Sequence, residues 1–488
     1  MANIAFNNKN YSIDDSFLST ASTALRSHLS TVMNGSGAVI NFGGTSYNVD
    51  SAKLLTATND FISHLRTISG DGYKVVVGGI EYSISSDKVQ NAISELHTYL
   101  GDLRPAPDSI EDLENKFKFA YFSTLGNAID AINNGAIDNY NADKETAAAG
   151  VYTDETGGIH AVLLKDEVLA ARIQPAVDMT LNLGGHKLSS SDILCINVKS
   201  GNFTIDGRLS GSGIIHSGTA GTIGCVQVPA SSTSNSLDII GGTYTVNNTN
   251  SGNAVALNLK SKSCVTTVKD CTIIASTTNK TANGCVNDGI ATFIDCDISS
   301  YSNYNLSDGN YTAVSYGVWN TGTLMMVDSN ACGTHSGVGT TGVIDIIGGT
   351  FEGFGHGGMY VGSEGATAKV RNAILKDSVT MPEGYTNTAP HNGAGMYIGG
   401  ANNMKVYMDN CDIYGNASQI VLRGSNGEQN NSLYISNSNI YDIDGNNISI
   451  RIDNDTHKLY SGTGNNFTAD DTTMPTAVIE TGETYIMN

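Results

Sequence analysis

Carboxylate and thiol stand side by side in a phrase that this chain repeats. Val268-Lys269-Asp270-Cys271-Thr272-Ile273 is followed by Ile294-Asp295-Cys296-Asp297-Ile298, and Asp328 holds the matching place in the next copy, Val327-Asp328-Ser329-Asn330-Ala331. If the copies stack as neighbouring strands, their carboxylates lie ~5 Å apart, the separation used by a retaining glycosidase. Asp295 and Asp328, with Glu352 further along, are therefore the candidate acid/base residues. A second set is aromatic. In Met359-Tyr360-Val361 and Met396-Tyr397-Ile398 the apolar flanks face inward, so period-two alternation turns Tyr360 and Tyr397 outward, and the same logic turns Trp319 outward. An exposed column of rings is a platform for sugar rings; its competing explanation is a stack under a loop or at a subunit contact. His356, in Phe354-Gly355-His356-Gly357-Gly358, is close enough in sequence to hydrogen-bond a glycan lying there.

The aspartates have a plainer explanation. Looser copies of the phrase recur every ~20 to 40 residues, the signature of stacked repeats of one supersecondary unit. At the aspartate position they carry Gly241, Gly348, Asn372, Asn410 and Asn437. Gly, Asn and Asp share one property, tolerance of the left-handed backbone region. The phrase thus reads as strand, bend, strand. The residue after the bend (Gly242, Cys271, Cys296, Gly349, Ala373, Cys411 or Ser438) is small because it fills a crowded interior. Reading Asp297 and Asp412 as outward, solvated side chains follows from the same register. A second phrase supplies another strand per coil, from Cys195-Ile196-Asn197-Val198 through Cys225-Val226-Gln227-Val228 and Cys285-Val286-Asn287 to Ile448-Ser449-Ile450-Arg451-Ile452. Cys195, Cys225 and Cys285 are expected to share its ladder. Loops of uneven length join the ladders, Lys376 to Gly393 being the longest, and such insertions usually crowd one face of a solenoid.

Bulk composition excludes several classes. Charged residues make up 15% of the 488, glycine numbers 55 and the formal charge is −21. Nucleic acid and anionic membrane are poor partners for so acidic a chain, no apolar run is long enough to span a bilayer, and no secretory signal is visible at the N-terminus. The eight cysteines form no CxxC pair, which argues against zinc and for reduced, buried thiols. No nucleophile elbow, phosphate loop, metal motif or nucleotide fingerprint is present, so no metal and no cofactor is expected.

The first hundred residues hold three copies of a ~35-residue unit. Tyr11, Tyr47 and Tyr82 align, each preceded by a two-residue turn (Asn7-Asn8, Gly43-Gly44, Gly78-Gly79) and followed by a helical apolar stripe such as Leu18, Ala21, Leu25 and Leu29. His28 and His64 are equivalent helix-surface positions. Arg104-Pro105-Ala106-Pro107-Asp108 breaks the pattern as a linker. From Ile110 to Asn134 runs a second amphipathic pattern with Phe117, Tyr121, Leu125, Ile129 and Ile132, and near its end Ser123-Thr124-Leu125-Gly126-Asn127-Ala128-Ile129 reads as a helix that plugs the open end of a sheet. Val177-Asp178-Met179-Thr180-Leu181-Asn182-Leu183-Gly184-Gly185-His186-Lys187-Leu188 then alternates apolar and polar, with His186 in its turn. This phrase resembles the first coils of right-handed parallel β-helix proteins of the pectate-lyase-like class.

The fold class expected is thus mainly β: a right-handed parallel β-helix preceded by an α+β region. Residues 1–103 form the hairpin-helix repeats, 104–135 the linker and capping helix, 136–465 the β-helix and 466–488 a C-terminal cap. That layout is similar to a bacteriophage tailspike, tail fibre or head fibre. The resemblance implies attachment to the virion and its other proteins through residues 1–103, a homotrimer, synthesis in the host cytoplasm, and recognition of a host cell-surface polysaccharide without nucleic acid or membrane insertion. It leans toward a binding appendage. A polysaccharide hydrolase or lyase on the same β-helix is the alternative, and a bacterial surface adhesin, disfavoured by the missing export signal, is a third.

Overall fold

The computed structural model describes six strands within residues 2–83, then residues 108–465 apart from 140–141, 192–193, 219–223, 250–251, 279, 303–313, 355, 378–392, 416–417, 424–430, 443–449, 453–456 and 462–464. Contacts divide the chain into one unit up to Ala106 and another from Pro107. In the first unit, Ala2–Phe6 pairs antiparallel with Lys9–Ile13, Ala38–Phe42 with Thr45–Val49, and Lys74–Val77 with Ile80–Ser83. Phe6 faces Lys9, Phe42 faces Thr45 and Val77 faces Ile80, so two residues separate the strands of each hairpin. The helical stripes expected after these hairpins, His28, His64 and the cap expected at 466–488 lie outside the described residues.

The second unit is a stack of coils that builds three long sheets of 14, 11 and 10 strands. Each full coil contributes one strand to each sheet in the same order. Val265–Lys269 lies in the first sheet, Thr272–Thr277 in the second and Ala282–Asn287 in the third, and Ile290–Ile294 then returns to the first beside Val265–Lys269. Ile159–Leu163 is antiparallel to Ala149–Thr153 on one side and parallel to Met179–Asn182 on the other, and every later pairing among the described strands is parallel. This is a parallel β-helix, an architecture compatible with the pectate-lyase-like class. Coil length varies from 20 residues, between Asn330 and Thr350, to 38, between Asn372 and Asn410. Register survives because extra residues are absorbed between sheets.

Two features of the sequence enforce this geometry. The first is the interior. Ile205, Ile239, Val268, Phe293, Met326, Ile346, Val370, Met408 and Ile435 are register partners in the first sheet, and all are buried in one continuous core. Burying each such side chain contributes roughly 1.5–3 kcal/mol, so a one-residue slip that turned them outward is strongly disfavoured. The second is the bend. Asp270, Asp295, Asp328, Asn372, Asn410 and Asn437 have φ between 45° and 55°, and Gly241 and Gly348 share the left-handed region at 69° and 72°. Most L-residues lose roughly 1–2 kcal/mol there, which explains why only Gly, Asn and Asp hold the position. Their amides extend the ladder of the first sheet: Asp270 donates to the Ile294 carbonyl and Asp328 to that of Ile347.

Where the small residue after the bend is cysteine or serine, its side chain closes the turn in one chemical way. The Cys271, Cys296 and Cys411 thiols donate to the carbonyls two residues back, at 3.1, 3.2 and 3.3 Å. The Ser329 and Ser438 hydroxyls do the same at 2.9 and 2.7 Å. Cysteine and serine are interchangeable here as compact donors. Burial pushes the Cys411 thiol up to about 12 and the Cys271 thiol well above its usual value, so neither is a nucleophile.

Two expectations need correction. The stretch 110–134 is not one helix. Ile110–Lys116 is helical, Ala120–Phe122 is a strand antiparallel to Ala149–Thr153, and only Leu125–Asn133 forms the second helix. Phe117, expected on the helical stripe, lies past the end of the first helix and stacks on Tyr152 at 4.8 Å, as Phe119 does at 5.0 Å. The second helix does bury Leu125, Ala128, Ile129, Ala131 and Ile132 in the continuous core, with Thr124 capping it through Asn127 N–H. The ladder of three cysteines is also off by one. Ile196 pairs with Val226 and Val226 with Leu257, whereas Leu257 pairs with Cys285, so Cys285 sits one position past the row of Cys195 and Cys225.

Candidate functional site

The third sheet carries one outward row, Val286, Trp319, Gly339, Tyr360, Tyr397 and Val421, on consecutive coils. Alternation works as expected around three of its members. Val318 and Asn320 are buried beside Trp319, Met359 and Val361 beside Tyr360, and Met396 and Ile398 beside Tyr397, while the three aromatics are partly exposed. Behind Trp319, a buried amide column fixes the strand ends: Asn287 Nδ2 donates to Asn320 Oδ1 at 2.8 Å and Asn320 Nδ2 to Thr340 Oγ1 at 3.0 Å. The same side chains accept from the turn amides of Gly289, Gly322 and Gly342. This side-chain bonding removes slack from the strands that bear the rings.

The four candidates Trp319, His356, Tyr360 and Tyr397 come together in one cluster. Trp319 and Tyr360 are near-parallel with centroids 6.5 Å apart, Tyr360 and Tyr397 are 5.8 Å apart, and His356 meets Tyr397 edge-on at 5.4 Å. Two members were not singled out from the sequence. Tyr316 packs on Trp319 at 4.6 Å and on His335 at 4.9 Å, and His335 stacks on His356 at 4.2 Å. The imidazole pair therefore joins the Trp319–Tyr316 half to the Tyr397 half. Connections into these strands are the shortest of the solenoid's outer corner, Thr334 and His335 before Ser336–Thr340 and 354–356 before Gly357–Val361.

Tyr316 escaped notice because it breaks the alternation. Counting back from Trp319 by twos puts position 316 inside. At Gly317, however, two successive residues face inward: pairing runs Tyr316 to Ser336 and Val318 to Val338, and a Cβ on Gly317 would lie 2.9 Å from the Cys332 amide of the second sheet. Tyr316 is thereby thrown to the outer face. His335 offered no signal beyond lying between two strands.

The rings lie down on the sheet. An ideal Cβ on Gly362 would stand 2.2 Å from the Cζ and Oη of Tyr360, one on Gly399 2.6 Å from Cε1 of Tyr397, and one on Gly339 2.5 Å from Tyr316 Cε1 and 2.7 Å from Trp319 Cε3. Each ring is thus packed against glycine; Trp319, Tyr360 and Tyr397 stay partly exposed, whereas Tyr316 is buried. Electrostatically the surface is quiet. Burial, then the positive charge of Arg423, lowers His356 to about 4; burial, then His356, holds His335 well below its ordinary value. Both imidazoles are neutral near pH 7, and His335 Nδ1 meets Ser336 Oγ at 3.1 Å. None of the six members is a carboxylate.

The acidic candidates lie elsewhere. Asp295 and Asp328 occupy the bends between the first and second sheets, at φ 51° and 45°. Glu352 points outward on the second sheet between Cys332 and Lys376, with Lys376 Nζ 3.6 Å from Glu352 Oε1. The structure does not gather these three with the rings. No group of His, Cys, Asp and Glu among the described residues could hold a metal ion, and no described helix is long and apolar enough to cross a membrane. No family of proteins, no curated protein and no solved structure matches the chain.

Proposed function

We propose that the chain is a virion appendage of the tailspike or fibre type that binds a host surface polysaccharide through the ring cluster on its third sheet. The observation that supports this most is the flat seating of Trp319, Tyr360 and Tyr397 over glycine. A pyranose presents a face of C–H bonds, and an aromatic ring attracts such a face through its polarisable, electron-rich surface. Flat rings separated by 5.8 and 6.5 Å offer several such faces side by side. The neutral imidazole of His356 at the edge supplies hydrogen bonding to hydroxyls without the desolvation cost of a charge. The same reading assigns residues 1–103 to the particle and expects three copies of the chain per appendage.

Binding without cleavage is the form we favour. Glycoside hydrolysis needs two carboxylates flanking the scissile bond. Asp295 and Asp328 serve the backbone conformation of their bends, and Glu352 is engaged by Lys376. The test uses the full-length chain on an array of bacterial capsular and lipopolysaccharide glycans, followed by a reducing-end measurement on those captured. Capture without new reducing ends is expected. Capture with steady release of reducing ends would replace this reading by the depolymerase one, and absence of capture would end both.

A further inference from the structure

We propose that Gly339, Gly362 and Gly399 are positioning residues of the ring cluster, present so that ring faces rather than ring edges meet the ligand; the inference rests on the glycan-binding reading of that surface. Glycine inside a strand is a liability, since it weakens the strand and has no side chain to pack. Replacing it by alanine at a compatible site usually stabilises. Each of these three would gain from that replacement as far as the backbone is concerned, because none has a positive φ. What forbids a side chain is the ring. Tyr360 lies over Gly362, one residue past the end of its strand Gly357–Val361, and Tyr397 over Gly399, the last residue of Met396–Gly399; each glycine stands two residues after its ring. Trp319 and Tyr316 lie over Gly339 on the next coil. The conflict at Gly317, Gly337 and Gly358 is of another kind: there a Cβ would strike backbone of the second sheet. Those glycines let two sheets approach, whereas Gly339, Gly362 and Gly399 let side chains recline. A methyl group under a reclining ring cannot be absorbed by the interior, because it projects outward; the ring must tilt, and a tilted ring shows its edge.

The experiment compares the full-length native chain with Gly362→Ala, Tyr360→Ala and the double variant for capture of the array glycan, alongside Gly339→Ala followed by intrinsic fluorescence. Trp319 is the only tryptophan in the chain, so its emission reports on the cluster with no ligand present. Gly362→Ala is expected to weaken capture roughly tenfold or more while leaving the thermal midpoint within a few degrees. In the Tyr360→Ala background the same substitution should add nothing, since glycine acts only through the ring. Gly339→Ala should shift Trp319 emission. Two results overturn the proposal: a Gly362→Ala effect of equal size with and without the Tyr360 ring, or Trp319 emission unmoved by Gly339→Ala. Failure of the native chain to capture any glycan removes the functional reading, and the emission experiment then still decides whether the glycines set the rings.

Discussion

Two kinds of aromatic column climb this solenoid, and they are built to opposite ends. Tyr407, Tyr434 and Tyr460 are register partners on three successive coils of the first sheet. Their rings stack face on face at 4.7 and 4.5 Å, inclined by only 8° and 3°. Tyr414 and Tyr441 repeat the arrangement on the second sheet at 4.6 Å. In the third sheet Tyr360 and Tyr397 are likewise partners on adjacent coils, yet their centroids stay 5.8 Å apart, and Trp319, two coils from Tyr360 with Gly339 between them, lies 6.5 Å from it. The difference is in the neighbours. Two residues after Tyr407 and Tyr434 stand Asp409 and Ser436; two residues after Tyr360 and Tyr397 stand Gly362 and Gly399. With a side chain beside it a ring stands up and gives both faces to its own column, which fastens one coil to the next. With glycine beside it a ring lies down and keeps a face for something else. An aromatic ladder is therefore not informative in itself; for these tyrosines the residue two places on separates fastener from surface, and for Trp319 the glycine is Gly339 on the next coil.

That contrast can be broken in three ways. The largest effect is expected from removing a ring in each column. Trp319→Ala or Tyr360→Ala should lower glycan capture by roughly 30-fold, the loss of about 2 kcal/mol typical of a buried aromatic anchor, and should leave the thermal midpoint nearly unchanged. Tyr434→Ala should do the reverse. It forfeits two stacked contacts of about 0.5–1.5 kcal/mol each, so the midpoint falls by a few degrees and capture is unaltered. A Tyr434→Ala chain that lost capture would dissolve the distinction.

A smaller effect is expected from acid. The ordinary histidine value is 6.5 and His356 is lowered to about 4, so the folded chain holds this ring neutral where the unfolded chain takes up a proton. Stability contributed by the neutral ring is complete above about pH 6.5 and is lost progressively as the pH falls toward 4. Thermal midpoints measured between pH 7 and 4 should drop on the acid side, and His356→Gln should flatten that slope. An identical slope in the variant would exclude His356 as its source. The smallest effect belongs to the bends. Asp295→Gly keeps a residue suited to φ 51° and should change stability by less than about 1 kcal/mol, with capture and reducing ends unmoved. If the native protein releases reducing ends and Asp295→Gly does not, Asp295 is catalytic after all.

Sequence made the solenoid legible because its constraints are local. Left-handed backbone admits few residue types, so Gly241, Asp270, Asn372 and their equivalents announce the bends, and the apolar row from Ile205 to Ile435 follows from period two. Outward placement of Trp319, Tyr360 and Tyr397 came from the same rule. What could not be read depends on register between coils. Cys285 lies one position from its expected row because the glycine between Asn283 and Cys285 turns inward, and that is visible only against Val255 and Leu257 on the neighbouring coil. Tyr316 is hidden by the same break at Gly317. Phe117 sits at helical spacing from Tyr121, and only its partner Tyr152, far along the chain, accounts for its place beyond the end of the first helix. The imidazole pair His335–His356 depends on two short connections ending side by side, which no motif records.

The shortest coil deserves to be seen as a spacer. Thr323 pairs with Val343, so the residues between them make one turn of the solenoid, and that turn brings Gly339 between Trp319 and Tyr360. Excising residues 323–342 would leave Gly322 leading into Val343 with the strand order and the inward pattern unbroken. It would also set Trp319 directly beside Tyr360 on adjoining turns. A chain of this design can thus gain or lose whole turns without relearning how to fold, and each such step rewrites the rhythm of rings on its outside. In such a molecule, loss or duplication of a single turn is enough to change which rings adjoin.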